Sequence, residues 1–168
     1  MTPRTLPQLA MRPLLPADVP LLAEIFRASI EQLTAEDYSE AQQEAWASTA
    51  DDEAAFGKRL AGALTLVATY GGAAVGFGSL AGNTEIDMLY VHPAAAGQGA
   101  GAMLCDALEK LAAARGTKEL TVDASDSARG FFEKRGFKAQ SRNTVSLNGE
   151  WLANTTMTKA LPAKAAAS

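Results

Sequence analysis

Two acidic residues, Glu85 and Asp87, lie two positions apart in the strand-like stretch TEIDMLYV. Side chains alternate along a strand, which predicts one face with Glu85, Asp87, Leu89 and Val91 and another with Ile86, Met88 and Tyr90. The two carboxylates would then lie roughly 7 Å apart. A carboxylate within reach of an amine can take its proton as the amine attacks, so both residues are candidates for a general base. A solvated strand face is the alternative for each of them.

A second stretch, Ala96–Gly101, reads AGQGAG and lies between a strand-like run and an amphipathic run. The first turn of a helix has unpaired N–H groups and a partial positive charge, so it attracts anions. Glycines allow positive φ angles and let N–H groups approach a phosphate without a Cβ in the way. The stretch therefore predicts a phosphate site made of backbone, with a flexible turn that binds nothing as the alternative.

The same glycines also fit the dinucleotide fingerprint G-x-G-x-x-[GA]. That motif needs its first glycine directly after a strand in an alternating β-α-β-α chain. Here His92–Ala96 separates Val91 from Gly97, and the neighbouring strand-like runs are joined as hairpins. The spacing therefore argues against a nicotinamide or flavin site.

The chain has one histidine, His92, and one cysteine, Cys105. His92 ends a strand-like run, where a structural role is expected. Cys105 shares a helical stripe with apolar residues and is expected to be a small buried hydrophobe. One histidine and one cysteine offer no metal cluster, so no metal is predicted.

Composition limits the class of protein. A chain of 168 residues with 48% hydrophobic residues suits one domain over 1–168, with loose ends at about 1–7 and 162–168. The net charge of −4 argues against nucleic acid as a partner. No apolar run approaches the roughly 18 residues of a membrane span, and the N-terminus lacks a secretory pattern. A cytoplasmic protein is expected, and the oligomeric state stays open, a homodimer included.

Periodicity and turn residues predict the order of elements. Strands are predicted at Leu9–Leu14, Leu64–Tyr70, Ala73–Leu80, Thr84–Val91, Leu120–Ala124, Lys138–Leu147 and Glu150–Lys159. Helices are predicted at Val19–Leu33 (capped by Asp18), Ser39–Ala47, Asp51–Ala61, Gly99–Arg115 and Ser127–Arg135. This order predicts an α/β fold: a mixed, largely antiparallel sheet flanked by helices, with one right-handed β-α-β unit at its centre.

Two blocks resemble the GNAT superfamily of acetyl-CoA-dependent N-acetyltransferases. LYVHP followed by AGQGAG and a helix resembles motif A, whose pattern is Gln/Arg-x-x-Gly-x-Gly/Ala, and Gly99 and Gly101 match its small positions. ARGFFEKRGF at Ala128–Phe137 resembles the family's A-x-x-F-Y-x-x-x-G-F block. The resemblance extends over roughly Leu9 to Leu161 and implies a GNAT-like fold that uses acetyl-CoA as co-substrate without a metal.

The resemblance implies roles for particular positions. The coenzyme pyrophosphate would be held by N–H groups of Gly97, Gln98, Gly99, Ala100 and Gly101. The pantetheine arm would pair with the strand at Leu89, Tyr90 and Val91, where the N–H of Leu89 polarises the thioester carbonyl. Ser125 falls near the pantetheine. The acceptor pocket would include Tyr38 and Trp46, for which a core role is the alternative.

The implied activity is direct acetyl transfer to an amine, on a small molecule or a peptide that the sequence does not identify. Glu85 resembles the glutamate base of some members, with Asp87 as a binder of the ammonium group or, with the roles reversed, as the base. Ala96 and Gln98 depart from the family pattern, and Phe132 replaces a tyrosine thought to protonate the leaving thiolate. That replacement supports the alternative of a non-catalytic acyl-CoA-binding or sensing module.

Overall fold

The computed structural model describes residues 8–162. Its strands are β1 (Leu9–Pro13), β2 (Leu64–Tyr70), β3 (Ala73–Ala81), β4 (Glu85–Val91), β5 (Glu119–Ser125), β6 (Lys138–Leu147) and β7 (Glu150–Ala160). Its helices are α1 (Val19–Leu33), α2 (Glu40–Ala47), α3 (Glu53–Ala61), α4 (Ala100–Ala114) and α5 (Arg129–Lys134). The predicted loose ends at 1–7 and from 163 onward lie outside the described residues.

The strands form a seven-stranded sheet in the order β1-β2-β3-β4-β5-β7-β6. All neighbours pair antiparallel except β4 and β5, which are parallel and joined through α4. The predicted mixed sheet with one central β-α-β unit is thereby confirmed. Two-residue turns with positive φ close the hairpins at Gly71-Gly72 and Asn148-Gly149, which suits these residue types.

A side chain caps the start of α2, whereas the cap predicted for α1 is absent. Ser39 caps α2 by accepting from the N–H of Gln42, and the Gln42 side chain accepts from the N–H of Ser39. Asp18 stands before α1 as predicted, but it does not cap that helix. Its carboxylate instead accepts from the N–H of Leu15 and from the Arg12 guanidinium at 2.7 and 2.8 Å. The predicted cap is wrong because a guanidinium provides two charge-assisted hydrogen bonds to this carboxylate.

Helices cover both faces of the sheet. On the face of α1, α2 and α3, the buried cluster includes Leu22, Ile25, Phe26, Leu60, Val67, Phe77 and Met88. On the face of α4, it includes Leu80, Ile86, Cys105, Leu108, Leu120, Val122 and Met157. Within residues 8–162, no helix combines the length and the apolar character needed to cross a membrane.

The sheet is split at its centre. Strands β4 and β5 pair only at Glu85 with Thr121 and at Ile86 with Val122. Beyond Ile86 the two strands separate, and the opening leads toward the N-terminus of α4. The fold therefore presents an unpaired stretch of β4 backbone inside the sheet, rather than at its outer edge.

Candidate active site

A cavity of about 260 Å³ lies at the opening between β4 and β5. It is lined by several predicted site residues: Tyr38, Trp46, Glu85, Asp87, Leu89, Tyr90 and Ser125. Further lining residues come from α3, α5 and the β6–β7 hairpin, including Arg59, Phe132, Leu147 and Leu152. The predicted glycine cradle lies apart from this cavity, at the start of α4.

A β-bulge at Asp87 changes which side chains share a face. Leu80 pairs with Ile86 and Ser79 pairs with Met88, so Asp87 is an extra residue in β4. Ile86 consequently packs on the α4 side, whereas Met88 and Tyr90 pack on the α1 side. The strict alternation predicted for this strand is wrong, because a bulge shifts the pleat by one residue.

Glu85 is the carboxylate of the cavity that has no partner. It is half-buried, and among the described residues it forms neither a hydrogen bond nor an ion pair. Burial raises its pKa above the ordinary carboxyl value, and the like charges of Asp123 and Asp87 raise it further. A carboxyl group with a raised pKa is better matched to take a proton near neutral pH.

Asp87, in contrast, is bound by Arg59 of α3. The guanidinium donates from Nε to Oδ2 at 2.8 Å and from Nη2 to Oδ1 at 2.9 Å, a bidentate geometry. The carboxylate is therefore neutralised before any acceptor arrives, which weakens the prediction that Asp87 itself binds the ammonium group. Sequence reasoning missed Arg59, since a basic residue in the last turn of a helix has an ordinary structural explanation.

Tyr38 lines the cavity, and its hydroxyl is hydrogen-bonded to the backbone of two other segments. Its hydroxyl donates to the carbonyl of Ala153 at 2.7 Å and accepts from the N–H of Asp126 at 2.9 Å. Burial raises the pKa of Tyr38, and its ring packs edge-on to Trp46 at 5.4 Å between centroids. The hydroxyl proton is thus committed to Ala153, and the two aromatic residues shape the wall.

The backbone of β4 has free groups at two predicted positions. The N–H of His92 donates to the carbonyl of Val75 at 2.7 Å, which makes these two residues a hydrogen-bonded pair. Hydrogen-bonded pairs alternate in an antiparallel ladder, so Tyr90 also points its backbone toward β3. Leu89 and Val91 point their N–H and carbonyl groups the other way, toward the split.

Tyr90 does not fit its predicted role. Its half-buried ring packs against Phe26, Phe77 and Trp46 on the α1 side, and burial raises its pKa to about 12. Since its backbone faces β3, Tyr90 offers no free N–H or carbonyl group to a coenzyme in the split. It supports the wall of the cavity instead.

The glycine stretch has the geometry of an open backbone cradle. Gly97 and Gly99 have φ angles of 79° and 91°, and a Cβ at either position would meet no atom within 4 Å. The N–H of Gln98 already donates to the carbonyl of Ala95 at 3.3 Å. Within the described chain, the N–H groups of Gly97, Gly99, Ala100 and Gly101 have no such acceptor. These four are available to an anion, and Gln98 contributes less than predicted.

The remaining predicted position, Ser125, has a local structural use. Its hydroxyl accepts from the N–H of Ala128 at 3.1 Å, at the entry to α5. Phe132 is buried between Phe131 and Phe137 and also lines the cavity, so α5 presents no hydroxyl there. Within residues 8–162, no three His, Cys, Asp or Glu side chains are grouped so as to hold a metal ion.

Comparisons with known proteins agree with this geometry. The model of the acetyltransferase (GNAT) domain matches residues 34–161. The chain is 34% identical over 139 residues to YafP, an uncharacterised N-acetyltransferase of Escherichia coli (strain K12), which covers 83% of this chain and 87% of YafP.

Two solved structures are similar in fold. One is a GCN5-related N-acetyltransferase from Rhodopseudomonas palustris that also bears the name class-II aminotransferase. It is 64% identical to this chain, with a TM-score of 0.90, and the match covers 96% of this chain and 99% of that chain. The other is the PaiA N-acetyltransferase from Thermoplasma acidophilum in complex with coenzyme A; its TM-score is 0.75 at 22% identity, with 91% and 99% covered. The chain therefore belongs to the GNAT family of acetyltransferases, and it is an acetyl-CoA-dependent N-acetyltransferase.

Proposed function

We propose that this protein transfers the acetyl group of acetyl-CoA directly to an amine bound in the cavity, with Glu85 as the general base. The observation that carries the proposal is the Glu85 carboxylate, which is unpaired, half-buried and raised in pKa at the opening of the split. Its neighbour Asp87 is held by Arg59, so Glu85 is the better candidate of the two.

Backbone groups would bind the coenzyme. The free N–H groups at Gly97, Gly99, Ala100 and Gly101 suit a pyrophosphate, and a Cβ at Gly97 or Gly99 would meet no atom within 4 Å. An extended pantetheine arm in the split would pair with Leu89 and Val91 as an added strand does. The N–H of Leu89 would then donate to the thioester carbonyl oxygen, where negative charge develops.

The base is needed because the amine must lose a proton before its lone pair can react. An amine with a pKa of about 10.4 is mostly protonated at neutral pH, and freeing its lone pair there costs roughly 4.6 kcal/mol. Glu85 would take that proton as the amine nitrogen forms its bond to the acetyl carbon. The carbon–sulfur bond then breaks, and its electron pair leaves with the sulfur as a thiolate.

The leaving group needs little help from the protein. A thiol has a pKa of about 8.5, so the thiolate is a better leaving group than the amine and can depart without an acid. Phe132 has no proton to give, and the proton of the Tyr38 hydroxyl is committed to Ala153. Water at the open end of the cavity would protonate the thiolate after it departs.

Direct transfer would have to proceed without a proton from Phe132 or from Tyr38, since Phe132 carries none and the Tyr38 hydroxyl donates to the carbonyl of Ala153. The test combines acetyl-CoA with a panel of amines and measures free thiol together with acetylated product by mass spectrometry. Equal amounts of thiol and product support direct transfer. A melting temperature raised by acetyl-CoA, with no product from any amine, would count against the proposed direct transfer.

A further inference from the structure

A second cavity, of about 160 Å³, adjoins the first. Its lining comes from α1, α2, β4, the turn after α2, α3 and the end of β6: Phe26, Trp46, Thr49, Arg59, Met88, Tyr90 and Leu147. Five of these line the first cavity as well, namely Trp46, Arg59, Met88, Tyr90 and Leu147. The two cavities therefore share part of their walls.

Five of the seven residues that line the second cavity are apolar or aromatic, and the other two are Thr49 and Arg59. Tyr90 packs edge-on to Phe26 at 4.7 Å and to Trp46 at 6.4 Å between ring centroids. The hydroxyl of Thr49 already donates to the carbonyl of Trp46 at 2.7 Å, and Arg59 is bound to Asp87. An apolar cavity of about 150 Å³ is large enough to hold benzene. The size and lining suit one hydrocarbon ring.

The first cavity, in contrast, is lined by several charged residues. Its lining includes three carboxylates, Glu85, Asp87 and Asp123, against one guanidinium, Arg59. Because Arg59 is committed to Asp87, the charges left to act on a ligand are those of Glu85 and Asp123. Such a site attracts an ammonium group and repels a carboxylate.

We propose that the acceptor is a primary amine carried on a ring-sized apolar body that has no carboxylate. Its ammonium group lies beside Glu85, and its ring occupies the second cavity behind Trp46 and Leu147. This inference rests on the proposed function, because it names the substrate class of the same site.

Three amines separate the two features of the acceptor. 2-Phenylethylamine has both the ring and the free ammonium, phenylalanine adds a carboxylate to that skeleton, and ethylamine lacks the ring. We expect kcat/KM for 2-phenylethylamine to exceed each of the others by about 10-fold or more. A kcat/KM for phenylalanine or ethylamine equal to or above that of 2-phenylethylamine would overturn the inference.

Calorimetric titration of the same amines into the full chain with coenzyme A distinguishes the inference from the proposed function. Tight binding of 2-phenylethylamine without acetylated product would support the substrate class and reject the proposed transfer. Acetylation of all three amines without preference would do the reverse. Undetectable binding of 2-phenylethylamine, together with no turnover, would count against the inference.

Filling the second cavity gives an independent test. Leu147→Trp adds bulk at the shared wall, and Ser146→Trp adds the same side chain at the exposed neighbouring position, which lines neither cavity. We expect Leu147→Trp to weaken 2-phenylethylamine binding about 10-fold or more. Ethylamine binding should change less, and Ser146→Trp should alter neither. If Leu147→Trp does not fold, Leu147→Phe can replace it, because it fills part of the same space. Equal losses of binding affinity for 2-phenylethylamine and ethylamine would refute the placement of the ring.

Discussion

Removing the carboxylate of Glu85 tests the proposed proton transfer most directly. The substitution Glu85→Gln keeps the size of the side chain and removes its capacity to accept a proton. A positioned general base contributes about 10²- to 10⁴-fold to a rate, so turnover near neutral pH should fall about 100-fold or more. Binding of acetyl-CoA should persist, because the cradle and the split involve backbone elsewhere in the chain.

The size of the loss should depend on pH in a defined way. Without a base, only amine that is already deprotonated can react, and this fraction grows about 10-fold per pH unit below the amine pKa of about 10.4. The variant should therefore recover about 100-fold between about pH 7 and about pH 9. The parent enzyme should level off once Glu85 is ionised, at a pH above the ordinary carboxyl range because its pKa is raised.

The assay is the initial rate of thiol release with saturating acetyl-CoA and amine, measured across this pH range. Glu119→Gln is a matched control, since Glu119 is an exposed acid at the start of β5 outside the cavity. A constant ratio of parent to variant rates across the range would refute proton removal by Glu85. Full turnover in the variant near neutral pH would refute any role in the reaction.

Three further substitutions have distinct expected outcomes. Gly99→Val and Gly72→Val both place a branched residue at positive φ in open space, so calorimetric melts should show similar losses of stability, but only Gly99→Val should lose coenzyme affinity. Arg59→Met removes a charge that lowers the pKa of Glu85, so the rise of turnover with pH should move to higher pH; an unmoved profile would contradict this coupling. Asp18→Asn should cost about 1–2 kcal/mol in chemical denaturation near neutral pH. Because the hydrogen bond from Arg12 holds the folded pKa of Asp18 below its ordinary value of 3.8, this deficit should shrink as the pH falls below 3.8; a constant deficit would contradict it.

The order and limits of the elements could be predicted because the signals for them are local. The period of each run and turns such as Asn148-Gly149 place the strand ends within one or two residues of those observed. The glycine stretch was likewise recognisable, since positive φ and a helix start are encoded by adjacent residues.

Contacts between distant segments could not be read in this way. The bulge at Asp87 depends on how β4 pairs with β3, and the pair of Asp87 with Arg59 joins residues 28 positions apart. The Tyr38 hydroxyl is bonded to groups 88 and 115 positions away. The sequence therefore did not reveal that Asp87 is paired while Glu85 is not, because the guanidinium of Arg59 is brought to Asp87 only in the folded chain.

The separation of β4 from β5 has a consequence for hydrogen exchange. The amide hydrogens of Leu89 and Val91 point into the split, where no strand protects them, whereas the amide of Tyr90 between them is protected by β3. In the free protein, exchange along β4 should alternate between fast and slow at consecutive residues. An extended molecule with amide groups of its own, held in the split, would slow the fast positions and make the strand uniform. The occupancy of the site can thus be recorded from the protein's own backbone, without following the reaction.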